Sequence, residues 1–372
     1  MEIFNSYPLI IQIAGIVTLA AGVTIILTLI VIYFNRIRVR KLQHDMEAAE
    51  AIILDELNNH LLKYNSITEI PRTELTRTVS RLESLKNKDI VFKQSLVKLL
   101  LYFKFNLSGA ITRIISATYS RLRLREFTLG KLRSKQWFIK AQGLNEVQEM
   151  KDNHSIAAVS TLLTDDNDDV RVAAYTALLK LNSKNPFAFL SDEEGEFSEW
   201  HQILLMDTIT KADGLAIPDF KVYLGTTNRS IILLCIKLII HYKQFDAVPK
   251  LMSILDHEDE FVRNQLICAL GMLGATEAEE RLKRRYPTET NQNKSQILAT
   301  LGQIASGFSI DFIKDKFLKA EHFSLLKSAA AAIIYHPQHF REKALSSFEN
   351  LDDEQLAVLR HYQEPLNLYG VH

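Results

Sequence analysis

The sequence predicts an all-α protein in which a single transmembrane helix precedes an α-solenoid of stacked helix pairs. Three observations lead to this prediction. The 372 residues contain only 13 glycines and 8 prolines, and so few helix breakers favour long helices. No charged residue occurs between Ile3 and Phe34. Beyond residue 136, helical runs recur with a period of about 31 residues.

The apolar run from Leu9 to Phe34 is the predicted membrane anchor, in a domain assigned to residues 1–35. At about 1.5 Å per residue, a helix of this length reaches about 39 Å and exceeds the roughly 30 Å hydrocarbon core. The main alternative is a cleaved signal peptide, which has basic residues before a shorter apolar run. Here the basic residues follow the run, so we expect an uncleaved anchor.

Four basic residues follow the apolar run at once: Arg36, Arg38, Arg40 and Lys41. Cytoplasmic flanks of membrane helices are enriched in Lys and Arg. We therefore expect a single-pass protein of a bacterial inner membrane, with its N-terminus outside and its repeat domain in the cytoplasm. Cys235 and Cys268 lie in apolar runs, which predicts two buried, inert thiols in a reducing compartment.

The net charge of zero hides an asymmetry along the chain. Residues 36–135 contain 20 Lys and Arg against 10 Asp and Glu, whereas residues 136–372 contain 24 against 33. We assign residues 36–135 to a basic helical stalk followed by degenerate helix pairs. Anionic lipid would attract this block, but two solvated surfaces of different composition would give the same counts.

Residues 41–64 continue the membrane helix with one apolar stripe: Leu42, Met46, Ala49, Ile53, Leu57 and Leu61. The stripe could pack on itself, on the solenoid or on a second copy. A break is predicted at Asn65–Pro71. The apolar stretch Ser95–Phe105 is short and contains Lys98 and Lys104, so we expect a buried helix, with an interfacial helix as the alternative.

The solenoid is predicted over residues 136–350, with residues 351–372 as a C-terminal tail or cap. Its helical runs begin near Trp137, Asp168, Trp200, Asn228, Asp259, Gln292 and His322. A single helix pair cannot bury its own apolar face, so stacked neighbours must supply the core.

Two joints between these helix pairs align without a gap. The segment LTDDNDDVR at Leu163–Arg171 matches LDHEDEFVR at Leu255–Arg263. Acidic side chains at such a turn can cap the free amides of the next helix. An acidic turn followed by Val-Arg and by small and aliphatic residues resembles the HEAT repeat in its short bacterial form. The resemblance implies a right-handed solenoid of HEAT-like pairs with a scaffold or adaptor role.

The resemblance also implies roles for particular joint residues: Asp166, Asp168, Val170, Arg171, Glu258, Glu260, Val262 and Arg263. The two valines are expected in the core. The two arginines are the repeat arginine, which in the family pairs with an acidic residue near the turn; the acidic residues of each joint are its expected partners. A third joint keeps an arginine, Arg229, but lacks the valine before it.

No motif predicts an enzyme, a cofactor or a metal site. His336 and His339 have a metal-ligand spacing, but Pro337 turns the chain between them. Gly271 and Gly274 are not followed by Gly-Lys-Ser/Thr, so a helix cap is predicted there rather than a phosphate loop.

We therefore expect a membrane-anchored scaffold or adaptor that binds a protein, such as a membrane enzyme, transporter or signalling protein, through the second helix of each pair. The net acidic array argues against nucleic acid. The alternative is a peripheral lipid-surface or signalling sensor that uses the basic block.

Two further segments leave a choice between a solvated surface and a binding element. The acidic loop Ser191–Glu199 is either a solvated insert or a binding loop. A basic cluster is either a solvated helix end or a contact for an acidic partner or a phosphate. It consists of Arg281, Lys283, Arg284 and Arg285.

Overall fold

A computed structural model describes most of the chain: residues 8–64, 68–107, 109–193, 195–212 and 214–364. These residues form α-helices joined by turns and short 3-10 segments, and no strand occurs among them. Neighbouring helices pack on one another along the chain. The predicted fold class, an all-α solenoid, is confirmed. By contacts the chain divides into unit 1, Met1–Leu162, and unit 2, Leu163–His372.

Unit 1 contains seven helices among the residues described: α1 Leu9–His60, α2 Arg72–Lys88, α3 Ile90–Asn106, α4 Ala110–Arg121, α5 Leu124–Leu132, α6 Trp137–Met150 and α7 Ile156–Ser160. The helix α6, which begins the predicted array, packs against α3 and α5 and so belongs to unit 1.

The helix α1 runs without interruption from the apolar segment into the core of unit 1. On its C-terminal part, Ile53, Leu57 and Leu61 are fully buried, and α1 packs against α2 and α3. The predicted stripe therefore packs within its own unit over this part, whereas Leu42 is exposed. The predicted break at Asn65–Pro71 lies partly outside the described residues, and α2 begins directly after it.

The stretch Ser95–Phe105 lies in α3 and is a largely buried helix, as predicted, because Leu96, Val97 and Leu100 are inaccessible in the core of unit 1. Its exposed side chains are Lys98, Tyr102 and Phe105, and Phe105 is 78% accessible.

Unit 2 contains a row of long helices in which each packs on the next: α8 Asp168–Lys180, α10 Glu199–Lys211, α11 Arg229–His241, α13 Glu260–Met272, α15 Asn291–Ile304, α17 Phe323–Tyr335 and α19 Asp353–Gln363. Short helices alternate with them: α9 Phe189–Asp192, α12 Val248–Ser253, α14 Glu279–Arg285, α16 Ile310–Leu318 and α18 Gln338–Ser346. The long helices from α8 to α17 begin within one residue of the predicted starts. The predicted C-terminal segment contributes α19, which packs on α17.

The turns after α6 and after the long helices from α8 to α15 repeat one backbone conformation. Six residues about 31 positions apart have φ in the left-handed region: Lys151, Asn182, Gly214, Lys243, Gly274 and Ala305. A left-handed residue closes the C-terminus of a helix, and glycine adopts this conformation without steric cost. The helix cap predicted at Gly274, with φ of 65°, is therefore confirmed, and the period of the fold is visible in its turns.

Exchanging the residue types at two of these turns should shift stability in opposite directions. Gly274→Ala should lower the free energy of unfolding by about 1 kcal/mol through backbone strain alone, since a Cβ there meets nothing within 4 Å. Ala305→Gly relieves the same strain at φ 48° and should raise the thermal midpoint. Circular dichroism melts of the full-length variants measure both shifts, and a lower midpoint for Ala305→Gly would contradict this account.

Candidate functional site on the long-helix face

The first joint, at the start of α8, is held by a cap and an ion-pair cluster. The side chain of Asn167 accepts a hydrogen bond from Val170 N at 3.1 Å, so it is the cap, whereas Asp166 is exposed. Arg171 pairs with Asp168 at 2.8 Å, as the resemblance implies, and with Glu193 at 3.2 Å. Val170 is fully buried.

Glu193 belongs to the acidic loop Ser191–Glu199, in which Asp192, Glu196 and Glu199 are exposed, but Glu193 itself is folded inward. Its carboxylate is buried and accepts a hydrogen bond from the Tyr175 hydroxyl at 2.5 Å. Asn228 Nδ2 donates to the Glu193 carbonyl at 3.1 Å, and Phe197 is buried. Glu193 and Phe197 therefore tie the loop to the core of unit 2, the other described acidic side chains stay in solvent as the first interpretation expects, and a binding role of the loop stays a prediction.

The second joint corrects the expected partner of Arg263. The guanidinium pairs with Glu289 at 3.0 Å, not with the carboxylate of Glu258 or Glu260. Its Nη1 donates instead to the Glu258 carbonyl at 2.9 Å, and Glu260 accepts a hydrogen bond from Thr290. The arginine therefore ties its own turn to the next one, which only the packing of α13 against α15 makes possible.

Glu289 is completely buried and receives three charged or polar donors. Arg263, Asn293 and Arg285 all donate to its oxygens, with Asn293 Nδ2 at 2.9 Å and Arg285 Nη2 at 2.6 Å. Burial by itself would raise the pKa of this carboxyl, but the hydrogen bonds outweigh it and the pKa is lowered. Val262, the core position of this joint, is fully buried beside them.

Arg229 at the third joint does not occupy the repeat-arginine position. It is the first residue of α11, and it pairs with Asp259 at 2.8 Å. The equivalent position in α11 is taken by Ile232, which is buried. Asp259 also caps α13 by accepting from Val262 N at 2.8 Å, so Arg229 bridges consecutive long helices.

The basic cluster in α14 is largely neutralised within the chain. Arg281 pairs with Asp256 at 2.7 Å, and Arg285 contacts the same carboxylate. Lys283 forms a local ion pair within α14, and Arg284 is exposed. Because its cations have internal partners, the cluster is a weak candidate for an acidic partner.

The exposed and half-buried side chains on one side of the long helices form what we call the long-helix face: Trp200, Ile203, Lys237, His241, Phe261, Met272, Gln292, Gln296, Phe323, Ser324 and Lys327. Three of these are large aromatic side chains, and Trp200, Phe261 and Phe323 are 68%, 44% and 59% accessible. Exposed aromatic groups on a polar face are typical of protein-binding surfaces.

Grooves run between successive long helices on this face. One lies between α10 and α11 and another between α17 and α19. The groove along α13, α15 and α17 has no charged side chain in its described lining: Asn264, Asn291, Gln292, Ser295, Gln296, Ala299, Ser324 and Ser328. The Ser295 hydroxyl is buried and has no hydrogen-bond partner among the described residues. Amides and hydroxyls both donate and accept, which suits peptide groups.

The thiols and histidines do not assemble a reactive centre in the described residues. Burial raises the pKa of the thiols of Cys235 and Cys268, although Cys268 is only partly buried, less than predicted. His336 is buried, with Nδ1 2.6 Å from the Ala332 carbonyl oxygen, whereas His339 is exposed. Within the part of the chain that the structure describes, no three His, Cys, Asp or Glu side chains are grouped so that they could hold a metal ion.

The described part of α1 includes one segment, Gly15–His60, that is long and apolar enough to cross a membrane by length and composition. None of its most apolar window is buried within the protein. The four basic residues that follow the apolar run are all exposed along α1: Arg36, Arg38, Arg40 and Lys41.

No protein-family model matches the chain, and no curated protein matches it significantly. Three solved structures are similar to it at low identity. An engineered protein is 14% identical with a TM-score of 0.36, covering 76% of this chain and 86% of its own. Human deoxyhypusine hydroxylase is 12% identical with a TM-score of 0.29, covering 82% and 98%. The CpcE–CpcF phycocyanin lyase complex from Nostoc is 13% identical with a TM-score of 0.27, covering 63% and 92%.

Neutralising Glu289 should open the second joint. Glu289→Gln leaves Arg263 without its buried anion, so the free energy of opening α13 and α15 should fall by about 3–5 kcal/mol at neutral pH. A carboxyl with a lowered folded pKa stabilises fully above its unfolded pKa of about 4.3, and this contribution is lost as the pH falls through the folded pKa. Hydrogen exchange should therefore show a variant effect that shrinks in acid.

The matched control is Glu277→Gln, since Glu277 is exposed. It should change exchange in α13 and α15 by less than about 0.5 kcal/mol. Equal effects of the two substitutions would show that Glu289 does not hold the joint.

Proposed function

We propose that the chain is a membrane-anchored adaptor that binds a segment of a partner protein on its long-helix face, which the first helix of each pair supplies, in place of the second helix expected from the sequence. The observation that carries this proposal is the exposure of Trp200, Phe261 and Phe323, of which Phe261 and Phe323 lie on helices that line the uncharged groove. Aromatic side chains supply most of the binding energy in protein interfaces, and amide groups satisfy the backbone of a bound segment. The resemblance to HEAT repeats supports the same role.

The membrane anchor is supported by the continuity of α1. Its apolar segment is unburied, and the same helix ends in the core of unit 1 at Leu57. A cleaved signal peptide has a small-residue cleavage site after its apolar run, whereas here the run is followed by helical Arg36 and Arg38. A partner held beside the membrane would meet the face at raised effective concentration.

The anchor is tested by the fate of the N-terminus and by extraction. We expect the full-length mass to be retained, the protein to stay in the membrane pellet after carbonate washing, and unit 2 to be digested only by protease added on the cytoplasmic side. A mature protein that lacks the apolar run, or one released by carbonate, would overturn the anchor.

The binding face is tested by capturing partners from native membranes in mild detergent, with identification by mass spectrometry. The partner found is then purified and titrated against the protein. Trp200→Ala and Phe261→Ala should each weaken binding by about tenfold or more, which corresponds to at least about 1.4 kcal/mol. The matched controls, Phe245→Ala and Phe308→Ala, remove equally exposed rings outside the face and should leave affinity unchanged.

Two results would count against the adaptor. One is an intact membrane-resident protein that retains no stoichiometric partner. The other is a partner whose affinity falls as much with the control variants as with the face variants.

A further inference from the structure

Unit 1 has one end near the apolar segment of α1 and a far end near the C-terminus of α1. At the far end, Glu74 near the start of α2 contacts His60 at 3.1 Å and Lys63 at 2.7 Å. Further along α2, Arg81 contacts Glu56 at 2.8 Å. The helices α1 and α2 are therefore antiparallel, and the C-terminus of α2 lies on the side of the anchor.

Two turns meet at this end. Asp89 alone links α2 to α3, so α3 also begins there. Lys86 Nζ donates to the Leu122 carbonyl at 2.6 Å, which joins the end of α2 to the turn between α4 and α5. Burial lowers the pKa of Lys86; Glu83 and Glu126 oppose this shift, whereas Lys93 and Arg123 add to it, so all four charges lie near the Lys86 ammonium.

Together with the four basic residues of α1 that lie between it and the apolar segment, this end carries more cations than carboxylates. We call it the basic end and define it by these residues: Arg36, Arg38, Arg40, Lys41, Lys93, Arg121 and Arg123. The carboxylates at the same level are Asp45, Glu47, Glu83, Asp89 and Glu126. Of these, Glu83 lies 3.8 Å from Lys86 and Asp89 caps α3, so both are engaged within the unit. Ile90, 56% accessible, adds an exposed apolar side chain.

The basic end lies within electrostatic reach of a bilayer that α1 crosses. The contacts of Arg81 with Glu56 and of Lys98 with Glu50 show which part of α1 lies beside Ile90. These contacts put Ile90 beside positions 42–47 of α1, which at about 1.5 Å per residue is about 12–20 Å beyond Phe34. The headgroup layer is roughly 5–7 Å thick and the Debye length is about 8 Å at physiological salt, so these cations would feel an anionic leaflet.

We propose that the basic end of unit 1 docks on the anionic lipid headgroups of the leaflet from which α1 emerges. This inference rests on the proposed membrane anchor and adds a second contact with the membrane. The helix alone would leave unit 1 free to tilt, whereas guanidinium–phosphate contacts away from the α1 axis fix its orientation. The turn between α4 and α5 supplies these contacts through Arg121 and Arg123.

Docking is tested with the full-length protein in lipid nanodiscs. A bimane is placed at Ile90→Cys in a Cys268→Ala background, since Cys235 is fully buried. The discs contain a lipid with a spin-labelled headgroup, and they are made either with phosphatidylglycerol or with phosphatidylcholine alone. We expect strong quenching of the bimane in phosphatidylglycerol discs, weak quenching in phosphatidylcholine discs, and loss of the difference in high salt.

Charge reversal identifies the contact. Arg121→Glu with Arg123→Glu should lower the ratio of docked to undocked protein by at least about thirtyfold, the factor that follows from roughly 1 kcal/mol per basic residue at an anionic surface. The matched control reverses two exposed arginines at the opposite end of unit 1, Arg72→Glu with Arg113→Glu, and should keep the quenching.

The possible results distinguish a failure of the docking proposal from a failure of the membrane anchor. Protein inserted in the discs with equal quenching in both lipids overturns docking and leaves the anchor intact. Equal loss of quenching in both reversed variants also overturns it, since net charge rather than the basic end would then be responsible. Failure to insert in either disc removes the anchor and the inference together.

Discussion

The whole of unit 2 depends on one constraint: a helix of about thirteen residues must bury its apolar surface on its neighbours. In α11 the six residues from Ile231 to Ile236 are all buried, so this helix cannot exist as a solvated element. Close approach makes the burial possible, because a Cβ placed on Gly302 would lie 2.6 Å from the Ala332 Cα of the next long helix. Stacking then leaves a single outward strip on each helix, and the strips together form the long-helix face.

Apolar stacking by itself does not fix the angle at which one helix pair meets the next. Buried ion pairs fix this angle. Arg171 with Glu193, and Arg263 with Glu289, each tie a helix start to a later turn. An unpaired charge in such a place would be strongly destabilising, so each pair favours one arrangement of its joint. The charged groups of these joints are thereby paired within the repeat, and the groove along α13, α15 and α17 is lined by uncharged side chains, mostly amides and hydroxyls.

Unit 1 follows a different rule, since its core is built around the end of a helix that also carries the apolar segment. Ile53 and Leu57 are fully buried there, so a tilt of α1 would be passed to unit 1 without a flexible joint. The proposed contact of the basic end with lipid and the proposed binding of protein by the long-helix face use separate chemistry. Screened charge serves the first, and apolar burial with neutral hydrogen bonds serves the second.

The sequence by itself determined the helices, their period and the valine cores of the joints, because apolar spacing and turn residues act over a few positions. Only the tertiary structure decided the partners of the arginines. The Arg263 guanidinium meets a carboxylate 26 residues later, and Arg171 meets one 22 residues later in a loop that looked solvated. Such pairs exist because packing brings distant turns together and excludes water around them. A pattern of neighbouring residues in the sequence does not predict these long-range contacts.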